Sequence, residues 1–322
     1  MFKKALISVG LGLCFVGTSQ AQEFVLYTSQ PVADAQMTVE AFEKANPGVK
    51  VEWVRDGTTK LMTKFRAELA AGVVKPDLLL IADSVTLEQL KAEDLLAAYD
   101  SPEKSNYDSS LYDAEGYYYS TKLITTGIAY HSEAPNKPAS WTDLLKPEYK
   151  DLAAMPSPLY SGAALIHLSA VTTNDDFGWK FYEDLKANGM APQQGNGSVL
   201  TAIASGAKPY GVLVDYLAIR EKAKGSPVEF VFPTEGVSMV TEPVAILKDA
   251  ENKELAQKFV DFVLSEEGQQ LVVKQGYLPA RNGIDSPAGF PSREQIKLLP
   301  FDAAKSLENA ESDKERFTEI FE

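Results

Sequence analysis

The chain has 322 residues, 45% of them hydrophobic and 24% charged, with 21 Gly and 18 Pro. This is globular composition at a length suited to about two domains, so wholesale disorder and collagen-like repeats are excluded. Thirty-one Lys and Arg against 45 Asp and Glu leave a net charge of −14. That balance argues against a nucleic-acid partner, which requires a basic face. It leaves room for an anionic ligand, because a pocket can be positive within an acidic protein. Only one stretch is long and apolar, so a polytopic membrane protein is excluded too.

That stretch opens the chain. Lys3 and Lys4 precede an apolar run from Ala5 to Val16, too short to cross a bilayer. Ser19 and Ala21 then sit at −3 and −1 of a cleavage point before Gln22. Residues 1–21 are therefore expected to be a cleaved secretory signal peptide. The single cysteine, Cys14, falls inside it. The mature protein is thus expected to lack disulfides, a thiolate nucleophile and a cysteine metal site, which suits the periplasm.

Beyond the leader, apolar runs alternate with helix-period segments. Strand-like runs at 24–27, 49–54 and 77–81 alternate with helical stripes at 32–45, 58–71 and 85–96. This β-α-β-α-β-α order predicts a parallel sheet with helices on its faces. Residues 100–116 read as loop and 117–130 as extended chain, and Ser140–Asp143 as a helix capping box. A second α/β set follows. It has helices at 163–173, 177–188, 199–205 and 216–224, and strands at 210–214 and 228–232. A long extended run, 237–247, leads to paired helices at 253–264 and 266–274 and a charged helical tail from Ser292. The extended runs 119–130 and 237–247 bracket the second set, a pattern open to one lobe inserted in another, to serial domains or to one large sheet.

Several chemistries lack their residues. His131 and His167 are the only histidines, and neither has a partner at ligand spacing. No serine sits in a G-x-S-x-G elbow, and neither a G-x-x-x-x-G-K-[ST] loop nor a G-x-G-x-x-G after the first strand is present. Paired carboxylates such as Asp175-Asp176 and Glu266-Glu267 read as solvated or helix-start residues. No cofactor or resident metal is expected, and an exported enzyme such as a phosphatase has little support.

Small hydroxyl residues do collect where strands pass into helices, the places where free backbone N–H groups can hold an anion. They are Thr28 and Ser29, Thr58 and Thr59, Ser84 beside Asp83, the Ser161-Gly162-Ala163 turn, and Asn196 with Ser198. Each alone is an ordinary helix cap. Together they describe a cleft of neutral donors suited to a phosphate- or carboxylate-bearing solute. Asp215, Tyr216 and Glu242 add groups suited to hydroxyls or an amine.

Five segments carry a family resemblance: Leu26-Tyr-Thr-Ser-Gln30, Lys75-Pro-Asp-Leu-Leu-Leu80, Ser140-Trp-Thr-Asp-Leu-Leu145, Ser161-Gly-Ala163 and Glu242-Pro-Val-Ala-Ile-Leu247. The most specific stretch is Ala256 to Gln269, followed by Gly276-Tyr-Leu-Pro-Ala-Arg281. On these the chain resembles the periplasmic solute-binding proteins of ABC importers, in the branch of ferric-ion, hexose-phosphate and phosphonate binders. The resemblance implies an α/β, two-lobe clamshell of type II with two hinge-crossing strands. The lobes would be 22–125 with 241–290, and 126–240, with the C-terminal helices of 291–322 packing on the second. It implies a monomer that captures a small solute and delivers it to an inner-membrane permease, without catalysis. A sensor using the same fold stays open.

The ligand divides this branch. Iron-binding members use two adjacent tyrosines, often with a His and a Glu, plus a bound anion. Here the tyrosine pair reads Asp215-Tyr216, the His position is Pro31, and the Glu position falls at Ala82 or Asp83, while Ser161-Gly162-Ala163 remains. The expectation is a phosphorylated or phosphonate-type organic solute, with ferric ion as the alternative. Ser161, Gly162 and Ala163 would hold the anionic group, aided by Thr28, Ser29 and Thr59. Asp83, Asp215, Tyr216 and Glu242 would orient the rest.

Overall fold

The computed structural model describes residues 22–322. The expected signal peptide, with Cys14, lies outside the described residues. The chain starts with β1 (Gln22–Thr28), α1 (Val32–Ala45), β2 (Val49–Arg55), α2 (Thr58–Ala70), β3 (Leu78–Leu80), α3 (Ser84–Ala92) and β4 (Leu96–Ala97). The apolar stripe of α1 buries Ala35, Val39 and Phe42 against the sheet. There Phe42 meets Phe24 and Phe259 edge to face, at centroid distances of 5.7 and 5.1 Å.

β5 (Tyr119–Ser120) is followed after one residue by β6 (Lys122–His131), the longest strand. Next come β7 (Ala153–Pro156), α4 (Gly162–Thr172), α5 (Gly178–Ala187), β8 (Ala191–Gln193), α6 (Asn196–Ala204), β9 (Tyr210–Val214), α7 (Asp215–Ala223) and β10 (Val228–Val231). The chain returns through β11 (Ser238–Val240) and β12 (Pro243–Leu247), and ends with α8 (Lys253–Leu264), α9 (Glu266–Lys274), β13 (Leu278–Pro279) and α10 (Ala303–Phe321). Ser140 and Asp143 do form a capping box, on a 3-10 turn at Trp141–Leu145.

The strands make two sheets. The first has the order β2-β1-β3-β12-β4, with β5 on β12; the second has the order β10-β6-β9-β7-β8, with β11 and β13 on β6. β1 runs parallel to β2 and β3, with Leu26 opposite Trp53 and Leu78. The three strands read from the alternation, β1, β2 and β3, are parallel as expected, while β12 lies antiparallel to β3, so the first sheet as a whole is mixed. The reason is topological: β12 returns from the second sheet and enters the first in the opposite direction.

The chain crosses between sheets at Thr121, which separates β5 from β6, and again at Thr241-Glu242, which separates β11 from β12. The two crossings touch, because the Thr121 hydroxyl donates to the Glu242 carbonyl at 2.7 Å. Glu242 has φ 35°, in the left-handed region. That conformation turns the chain out of β11 and into β12. α10 lies against both α3 and α4. Its Phe317 and Phe321 join the core of the second sheet beside Tyr182.

Candidate functional site

A cavity of about 450 Å³ lies between the carboxyl ends of strands from both sheets. One wall comes from the loops after β1, β2 and β3, at Ser29, Arg55–Thr58 and Ala82. The other comes from Tyr160–Ala163 leading into α4, Gln194–Ser198 leading into α6, and Val214, Tyr216 and Leu217 around the start of α7. Ile124 and Glu242, on the crossing segments, complete the lining. Open α/β sheets place ligands at this position, outside the strand ends.

Three helices open on this space. α2 and α6 begin behind Gly57 and Gly195, and no side chain caps either. The first-turn N–H groups of α2, and those of Asn196 and Gly197 in α6, therefore remain open to a ligand, while Ser198 N donates to the Gly195 carbonyl at 3.1 Å. α4 is capped by Ser161, whose Oγ accepts from Ala164 N at 3.3 Å, leaving Gly162 and Ala163 N–H uncapped. The Asn196 amide donates to Ser161 Oγ at 3.3 Å and accepts from Val214 N at 3.3 Å, which locks the two loops of the second wall together. On the first wall, Ser29 Oγ accepts from Ala82 N at 2.9 Å.

The two walls come close. A Cβ on Gly57 would lie 2.8 Å from the Tyr160 carbonyl oxygen, and one on Gly162 would lie 2.7 Å from the Ala82 carbonyl oxygen. Glycine at these positions lets backbone meet backbone across the cavity.

Glu242 is buried with its charge balanced. Its Oε2 lies 2.6 Å from Lys122 Nζ as an ion pair and accepts from the Gln30 side-chain amide at 3.2 Å. Lys122 is 1% exposed, and its ammonium sits 4.2 Å above the ring of Tyr277. Tyr216 faces the cavity while its ring packs on Tyr277 and under the Arg220 guanidinium, at 4.3 and 4.6 Å. Burial pushes the Tyr216 phenol up and holds it protonated.

Of the residues picked from the sequence, Ser29, Thr58, Ser161, Gly162, Ala163, Asn196, Ser198, Tyr216 and Glu242 line the cavity, and Thr28, Thr59, Asp83, Ser84 and Asp215 do not. Thr28 is buried, and its hydroxyl accepts from Gln30 N at 3.2 Å. Thr59 sits in the first turn of α2, between the lining residues Thr58 and Lys60. Asp83 caps α3, accepting from Thr86 N and Thr86 Oγ1, and Ser84 is the first residue of that helix. Asp215 is fully buried; it accepts from Thr125 N at 2.9 Å, Thr125 Oγ1 at 2.7 Å and Tyr216 N at 2.6 Å. It ties the crossing strand β6 to the head of α7. Burial outweighs those three donors and pushes its carboxyl up to about 7.

Arg55, Lys60, Tyr160 and Gln194 also line the cavity, and the sequence reading gave them no ligand role. Arg55 could have been found as the basic residue at the end of β2, two positions ahead of Gly57-Thr58. His167 is buried, with Nδ1 3.0 Å from Ser238 Oγ, and burial lowers its pKa to about 3. Among the described residues, no three His, Cys, Asp or Glu side chains converge as a metal site.

Residues 73–307 match the family model described as "Bacterial extracellular solute-binding protein". An uncharacterized protein of Haemophilus influenzae is 28% identical over 331 residues, covering 94% of this chain and 90% of that one. The periplasmic binding protein AfuA of Actinobacillus pleuropneumoniae, solved with exogenous fructose-6-phosphate bound, superposes with a TM-score of 0.82 at 23% identity, over 92% of this chain and 97% of that one. Iron-bound HitA of Pseudomonas aeruginosa superposes with a TM-score of 0.80 at 22% identity, over 92% and 99%. The match across most of the chain, on a two-sheet α/β frame with a cavity at its strand ends, places this protein in the bacterial extracellular solute-binding protein family.

Proposed function

We propose that the protein is the periplasmic binding component of an ABC importer, and that it holds a small phosphorylated or phosphonate-type organic solute in the cavity between its sheets. The observation that carries this reading is the convergence of the N-termini of α2, α4 and α6 on one space, two of them without a side-chain cap. Helix N-termini concentrate open N–H donors and positive dipole ends, which favour an anion. Ser161, Gly162 and Ala163 hold the anionic group with Thr58, Asn196 and Ser198 around it. Tyr216 and Glu242 meet the organic part. Thr28, Thr59, Asp83, Ser84 and Asp215 support the loops that present these groups.

The lobes of this reading are 22–125 with 241–290, and 126–240, hinged at the touching crossings. Residues 291–322 pack mainly on the second lobe through Phe317 and Phe321. The protein works as a monomer, without turnover, and passes its solute to a membrane permease. The ferric-ion alternative is weakened because Asp215 stands where the adjacent tyrosine pair would need its second phenol, because burial pushes the remaining Tyr216 phenol further from ionisation, and because Glu242 is already paired with Lys122. A thermal-shift panel of sugar phosphates, phosphonates and Fe³⁺ with phosphate tests the reading. A ligand at about 100 times its Kd adds roughly 2.7 kcal/mol, a shift of several degrees for a chain of this size. Stabilisation by Fe³⁺ alone, with a tyrosinate colour, would overturn it.

A further inference from the structure

Arg55 differs from every other arginine in the chain. There are six arginines. Arg66, Arg220, Arg281, Arg293 and Arg316 each pair with a carboxylate within 4.0 Å, and Arg55 pairs with none. In a protein of net charge −14, an arginine without a carboxylate partner is unusual, and this one lines the cavity. Its Nε donates to the Gln30 carbonyl at 2.7 Å, which fixes the side chain against the first wall. The terminal nitrogens of the guanidinium keep their donors free, with no hydrogen bond to the protein among the described residues.

The carboxylates that share the cavity are committed elsewhere. Asp56 Oδ1 accepts from Gly57 N at 2.7 Å and lies 3.8 Å from Lys60 Nζ. Glu242 is paired with Lys122. One uncompensated positive charge therefore stands beside the open N-terminus of α2. A guanidinium presents its donors as a planar fork that matches two oxygens of a phosphate or phosphonate, and this geometry is lost in lysine.

We propose that Arg55 is the residue that selects the head group, gripping two oxygens of a tetrahedral oxyanion at the mouth of α2. This rests on the anionic-solute reading above and names the side chain that enforces it. The pre-set Nε bond aims the fork before ligand arrives, so less freedom is lost on binding.

The test is titration calorimetry of the mature protein in a phosphate-free buffer, with fructose 6-phosphate, methylphosphonate, inorganic phosphate and gluconate as probes. The proteins are the wild type, Arg55→Gln, Arg55→Lys and, as a charge-matched control on the paired Arg66, Arg66→Gln. The wild type is expected to take a phosphorus oxyanion in preference to gluconate. Arg55→Gln should weaken that binding by about tenfold or more, the loss of a charged hydrogen-bond pair. Arg55→Lys should recover only part of it, and Arg66→Gln should stay within about threefold, below the effect of one such bond. Unfolding midpoints of the two Arg55 variants should match the wild type, because Arg55 is exposed. An Arg55→Gln protein that binds as the wild type does overturns the role of Arg55 and leaves the anionic-solute reading standing. A wild type that binds none of the three phosphorus oxyanions overturns that reading, and the role of Arg55 with it.

Discussion

Arg220 of α7 and Asp34 of α1 join the two sheets. The guanidinium meets both carboxylate oxygens at 2.8 to 3.1 Å, from helices that follow β9 in one sheet and β1 in the other. The same carboxylate accepts from the Tyr277 hydroxyl, and Arg220 also donates to the Gln275 carbonyl at 2.9 Å. Asp34 is 3% exposed, so the pair is largely out of water. Breaking it from one side strands a charge, which costs more than the pair itself is worth. Asp34→Ala should lower unfolding free energy by about 3 kcal/mol in a urea titration. Asp34→Ala with Arg220→Met should recover part of that loss. A double variant as unstable as the single one would refute the coupling.

Lys122 and Glu242 offer a second buried pair, at the crossing itself. Lys122→Met should destabilise by about 3–5 kcal/mol, because Glu242 is left charged and unpaired. Adding Glu242→Gln should restore much of it, read by the same titration.

Gly162 tests the approach of the walls. Gly162→Ala places a methyl 2.7 Å from the Ala82 carbonyl oxygen and 3.1 Å from Thr58 Oγ1. The helix should fold, and the walls should be held apart. Solute affinity should fall at least about tenfold, the effect of losing roughly 1.4 kcal/mol of closed-state contact. Small-angle scattering should show no compaction on adding solute. Full compaction would refute the close-approach argument.

His167 and Asp215 set opposite pH dependences. Burial lowers His167 to about 3 from its ordinary 6.5. Between those values the unfolded chain binds the extra proton, so this group removes stability as pH falls from 6.5 towards 3. Asp215 is raised to about 7 from 3.8. Between those values the folded chain holds the extra proton, so this group adds stability as pH falls from 7 towards 4. The two slopes oppose each other around pH 5. His167→Gln should therefore gain on the wild type by about 2 kcal/mol between pH 7 and pH 5, at 1.36 kcal/mol per unit below 6.5. Parallel stability curves for the two proteins would contradict the burial argument.

The elements were legible wherever a period ran long enough. The stripe Ala35-Val39-Phe42 marks α1, and Asn46-Pro47-Gly48 marks its stop. The Ser161 turn was legible as the start of an apolar helix, and its serine does cap α4. Asp83 and Asp215 misled for a local reason. An aspartate after a strand can cap the next helix or face a ligand, and composition does not separate the two. Lys122 was hidden because burial is rare for lysine and its partner is far along the chain. The Arg220–Asp34 pair was out of reach for the same reason, its partners being 186 residues apart.

The return of the chain through β12 governs the order of assembly. β12 lies between β3 and β4, so the first sheet has a missing central member until Pro243–Leu247 arrives. On a chain synthesised from its N-terminus, β1, β2 and β3 are complete long before that. Leu78–Leu80, wholly buried in the finished protein, then presents an open strand edge. The stretch from β6 to β11 is continuous and can pair its own strands first, with Phe317 and Phe321 of α10 completing its core at the end. The nascent protein is therefore expected to be most exposed to aggregation in its N-terminal third, while the strands of its middle are already paired.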